Sequence, residues 1–96
     1  MKLILYISNK VERLRKAADH IRRPGDKVTF RAGGEISRDD GTRFLFRVYR
    51  PEYIMGLNPD EIWVDEKLQY HLTDDDRAVI RSRSMAKQAP IEPFNV

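Results

Sequence analysis

The unbroken apolar run Leu3-Ile4-Leu5-Tyr6-Ile7 constrains the fold more than any other stretch of the chain. A half-exposed strand alternates apolar and polar residues, whereas a run with no polar member fits a strand covered on both faces, as in parallel sheets flanked by helices. The run is far shorter than the roughly 20 residues that cross a bilayer. No basic segment followed by an apolar one opens the sequence. The expectation is a soluble α/β domain that stays in the cytoplasm and does not enter a membrane.

A helix is expected directly after this strand. Asn9, with Glu12 three residues on, reads as its cap. Val11, Leu14, Ala18 and Ile21 form the inward stripe, Arg13, Arg15, Lys16 and Arg22 face water, and Pro24-Gly25 ends the helix. The middle of the chain reads as β: residues 27–31 alternate around Val28 and Phe30, Gly33-Gly34 permits a turn, and 35–37 lead through Asp39-Asp40-Gly41 into a return strand over 42–50. After Pro51 the sequence predicts a helical turn over 52–55, a buried strand over 61–65, and packed loop positions at Tyr70 and Leu72. Thr73 then caps a last helix over 74–87, whose first turn is acidic.

Assembled, these elements predict one α/β domain over residues 1–88, followed by an extended tail over 89–96. The sheet is expected in a three-layer or two-layer arrangement, with residues 2–7 and 61–65 as a parallel central pair, a β-hairpin extension and two main helices. The expected core is Leu3, Leu5, Ile7, Leu14, Ile21, Val28, Phe30, Phe44, Phe46, Val48, Ile62, Val64 and Ile80.

Composition narrows the chemistry. The absence of cysteine excludes disulfides, thiolate catalysis and thiolate zinc sites. The two histidines, His20 and His71, lack a metal-ligand spacing, and the consecutive Asp74, Asp75 and Asp76 point in different directions on a helix. Residues 1–51 hold 13 Lys/Arg against 6 Asp/Glu, while residues 52–96 hold 5 against 9, which predicts a basic face and an acidic one. The strand face Arg43, Leu45, Arg47 and Tyr49, extended by Arg31 and Arg38, is the candidate binding surface: guanidinium groups hold phosphates and an aromatic ring stacks on a base. The competing expectation is that the arginines pair with Asp39, Asp40 or Glu35 while Leu45 and Tyr49 pack beneath the first helix.

A second candidate is the strand end Asp65-Glu66. Two acids there can present one carboxylate to Mg²⁺ and another to a water, but both tasks need a nucleotide held by a phosphate loop. The pattern G-x-x-x-x-G-K-[ST] occurs nowhere in the 96 residues. Three segments together, Leu3 to Ser8, the Gly-Gly-Glu-Ile at 33–36, and Gly56-x-x-x-Asp-Glu-Ile-Trp-Val-Asp-Glu ending at Glu66, resemble the central stretch of phage terminase large subunits and related helicase-type P-loop ATPases. The resemblance covers residues 2–66. It implies an ATPase-like frame in which Asp65 stands at the Mg²⁺-binding position and Glu66 at the water-activating position of a degenerate Walker B strand.

With the phosphate loop missing, the expected function is that of a non-catalytic phage accessory or inhibitory protein. Its partner would be a host or phage protein, such as an ATPase or nuclease it partly mimics, and it would use no cofactor and no metal. The alternative is nucleic-acid binding through Arg31, Arg38, Arg43, Arg47 and Tyr49. A second alternative is a metal-dependent nuclease or ATPase component, because Asp65-Glu66-Lys67 with Asp60 upstream contains the D-x-K element of such nucleases.

Overall fold

A computed structural model describes residues 2–29, 34–85 and 87–95 of the chain. The expected core residue Phe30, the turn residue Gly33 and the candidate binding residue Arg31 lie outside the described residues. Elements follow in the order β1 (Lys2–Ser8), α1 (Val11–Ile21), β2 (Lys27–Thr29), β3 (Glu35–Ser37), β4 (Thr42–Val48), α2 (Pro51–Ile54), β5 (Glu61–Asp65), a 3-10 turn (Leu68–His71), α3 (Asp74–Met85) and β6 (Ile91–Phe94). They build one six-stranded mixed sheet in the order β2-β3-β4-β1-β5-β6. The apolar run forms the centre: β1 is parallel to β4 on one side and to β5 on the other. The hairpin turns at Gly41 (φ 89°), where a positive φ suits glycine, and carries β3 and β2 outward as antiparallel strands.

The layers follow from the period-2 alternation of side chains. Ile4, Tyr6, Phe44 and Phe46 face α1, which buries Leu14, Ala17 and Ala18 against them. Leu5, Ile7, Leu45, Ile62 and Val64 face the other way and meet Ile54, Leu68 and Ile80. The arrangement is therefore three-layered, with α1 on one face and α2, the 3-10 turn and α3 on the other. Because both faces of β1 are packed, Ile4 and Tyr6 join the core alongside the expected Leu5 and Ile7. Leu3, Ile21, Val28 and Val48 are only partly buried, at the margins of the two clusters.

Four local readings change. The N-cap of α1 is Lys10 and not Asn9, and its side chain makes no capping bond. The inward stripe begins at Arg13, which is buried, whereas Val11 is 54% exposed. Tyr70 is 84% exposed, not packed. The segment after residue 88 is extended, but Ile91–Phe94 pairs in parallel with β5 as the edge strand of the sheet. Thr73 does cap α3: its hydroxyl accepts the Asp76 N–H at 3.1 Å and the Asp76 carboxylate accepts the Thr73 N–H at 3.0 Å, a reciprocal box. No helix among the described residues is long and apolar enough to cross a membrane.

Candidate functional site

The register between β1 and β5 pairs Ile7 with Val64 and so brings the next residues, Ser8 and Asp65, side by side at the carboxyl ends of both strands. Asp65 shares the strand face of Trp63 and points towards α1, where Arg13 projects from the first turn. The side chain of Asp65 is fully buried and accepts four hydrogen bonds. Ser8 Oγ donates at 2.6 Å, Arg13 Nε at 3.1 Å, Arg13 Nη2 at 3.0 Å and the Lys67 N–H at 3.3 Å. Burial alone pushes the Asp65 carboxyl up; the bonds from Arg13, Ser8 and Lys67 outweigh it and hold the group below the usual carboxylate range. Arg13, bonded to that carboxylate, is correspondingly raised. The Tyr6 hydroxyl is buried and has no hydrogen-bond partner among the described residues. Burial, followed by the charge of Asp65, raises its pKa.

Glu66 lies beyond the strand and is exposed, so the two acids diverge: one is locked inside and the other is in water. Asp60 sits at the opposite end of β5, about 16 Å away at strand spacing, where it accepts the Leu3 N–H at 2.7 Å and lies 3.5 Å from the Lys87 ammonium. Asp60 and Asp65 therefore do not converge on a common ion. No group of three or more His, Asp or Glu among the described residues is placed to hold a metal.

The arginine face is divided. Arg43 and Arg47 share a sheet face with Lys27, Thr29, Glu35 and Ser37, and on it Lys27, Thr29 and Arg43 are exposed. Arg43 is paired with Glu35 at 2.6 Å. Arg47 is partly buried and donates to the carbonyls of Gly34 and Phe46, and burial pulls its pKa down. Arg38 lies on the other face, stacked 4.7 Å above the Phe44 ring and bonded to Asp26 and to the Ile21 carbonyl. Tyr49 packs in the cluster under α2 and α3, and not beneath α1. Its hydroxyl donates to Asp76 at 3.1 Å and is pushed up to about 12 by burial and that carboxylate. Of the six surface positions, Arg43 and Arg47 are thus brought together, Arg38 and Tyr49 serve packing, Leu45 is core, and Arg31 lies outside the described residues.

Sequence reasoning placed Arg13 in water and overlooked Ser8. The signal for Arg13 was its position four residues before Ala17, on the same helix stripe. No family model matches the chain, and no curated protein or solved structure is significantly similar to it.

Proposed function

We propose that this chain is a non-catalytic accessory or inhibitory protein of phage type, acting in the host cytoplasm by docking on another protein. The observation that carries this reading is the state of Asp65. A metal-binding carboxylate must keep lone pairs open to the ion, and here each oxygen is already taken by two donors. An ATPase-like strand end is thereby converted into an internal fastener. The surface proposed for the partner is the solvent-facing part of β2, β3 and β4, where Lys27, Thr29, Ser37 and the Arg43–Glu35 pair offer polar groups.

The test is affinity capture from phage-infected lysate with the parent chain and with a Lys27→Glu, Arg43→Glu variant, beside an ATP-turnover assay with Mg²⁺. The expected result is a protein retained by the parent and lost from the variant, with no turnover by either. ATP hydrolysis that disappears in Asp65→Asn would overturn the reading. Nucleic-acid binding on the same face is the second reading, favoured by Lys27 and Arg43 lying exposed on one side of the sheet.

A further inference from the structure

At the carboxyl ends of β1 and β5 the protein opens into a cleft of about 290 Å³, bounded by Asn9, Lys10, Glu12, Lys16, Lys67 and His71, with Arg13 also among its walls. The chain changes its direction of travel along the sheet at this point. From β1 it passes through α1 to the edge strand β2 and comes back through β3 to β4 beside β1, then crosses β1 through α2 to β5 on the other side. Open α/β sheets hold their ligands in the crevice at such a reversal.

The charge of the cleft is unbalanced. Its three lysines come from different places: Lys10 precedes α1, Lys16 lies within it, and Lys67 follows β5. None has a carboxylate within ion-pair distance among the described residues. Asp65, the acid behind them, is matched by Arg13, so it does not offset the lysines. Among the described residues that line it, Glu12 is the one carboxylate. Like charges around a concavity raise its potential and draw anions to it. The volume lies at the lower end for a ligand pocket, which suits a phosphate or diphosphate group with a small attachment.

We propose that this cleft binds the phosphate of a phosphate-bearing ligand, with the ammonium groups of Lys10, Lys16 and Lys67 as its donors. The phosphate has two sources of the same chemistry, a small phosphate ester or the terminal phosphate of an oligonucleotide. This site is separate from the β2-β3-β4 face and does not rest on docking there.

Calorimetric titration with inorganic pyrophosphate at low ionic strength tests it, with a 5′-phosphorylated oligonucleotide and its unphosphorylated twin as further arms. Pyrophosphate is expected to bind, about tenfold more weakly after Lys16→Ala or Lys67→Ala, more tightly after Glu12→Gln, and unchanged after Arg43→Ala on the sheet face. A phosphorylated oligonucleotide that outbinds both its twin and pyrophosphate assigns the terminal phosphate; parity with pyrophosphate assigns the small ester. The substituted side chains are exposed, and thermal melting confirms that each variant folds. Absence of pyrophosphate binding by the parent, or binding indifferent to both lysine substitutions, overturns the proposal.

Discussion

Arg13 and Asp65 keep their charges in a place where neither could do so alone. Moving two ions out of water costs several kcal/mol each, and their attraction offsets this only when the remaining hydrogen-bonding positions are filled, as Ser8 and the Lys67 N–H fill those of Asp65. The pair adds little net stability relative to apolar packing, but removing one partner is costly. Arg13→Met is expected to lose about 3–5 kcal/mol near neutral pH. The pH dependence should also change sign. In the parent the folded carboxyl lies below its ordinary 3.8, so its contribution is complete above that value and is lost as pH falls through the folded value. In Arg13→Met burial dominates and lifts the folded carboxyl above the ordinary value, so acidification from neutrality restores stability as the group protonates. Urea denaturation at about pH 7 and about pH 5 checks this. A variant whose deficit is unchanged between the two would show that Asp65 is not the group left unpaired.

The last strand changes what the carboxyl-terminal segment does. Phe94 stacks on Trp63 with ring centroids 4.9 Å apart and meets Tyr6 edge-on at 5.7 Å, so β6 closes the α1-side core as well as the sheet. The Pro90 and Phe94 carbonyls face β5 and accept from Ile62 and Glu66, which leaves Pro93 with its missing N–H on the open edge, where no ladder bond is lost. A proline there also discourages another strand from adding on. Phe94→Ala is expected to cost about 2 kcal/mol, less than a fully buried phenylalanine because the ring is only partly covered. Truncation after Gln88 should cost more and expose the edge of β5 to self-association. Denaturation with size-exclusion chromatography measures both, and a truncated chain as stable and monomeric as the parent would make β6 an ornament. The sequence revealed β1, β5, the hairpin and the Thr73 cap because each has a local signature: an apolar run, a turn tripeptide, a hydroxyl before acids. Ile91 to Phe94 has none, since Pro90 and Pro93 read as tail and its pairing depends on β5 and on aromatic rings far away in sequence. The Arg13–Asp65 fork was hidden for the same reason, 52 residues separating its ends.

Across the whole molecule the sheet keeps the two halves of the sequence apart. β2, β3, β4 and β1 come from the basic half, while β5, β6, α3 and most of α2 come from the acidic half, so the uneven charge of the sequence becomes a gradient across the strands. A field of this kind draws anionic surfaces towards the β2-β3-β4 side, but charge alone does not distinguish a protein from a nucleic acid. Salt does. If an oligonucleotide settles on the exposed Lys27 and Arg43, about two phosphates are neutralised, and the logarithm of affinity should fall with that of salt with a slope of about −1.8, or about 12-fold between 50 and 200 mM. For a chain whose partner is a protein, the expected outcome is weak duplex binding at low salt that follows this slope and is lost at physiological salt, while protein capture persists there. Fluorescence anisotropy at four salt concentrations, repeated with Lys27→Ala and Arg43→Ala, supplies the measurement. Each substitution should lower the slope by about one. Duplex binding that survives 200 mM salt and still depends on both residues would place nucleic acid ahead of protein as the partner of this face.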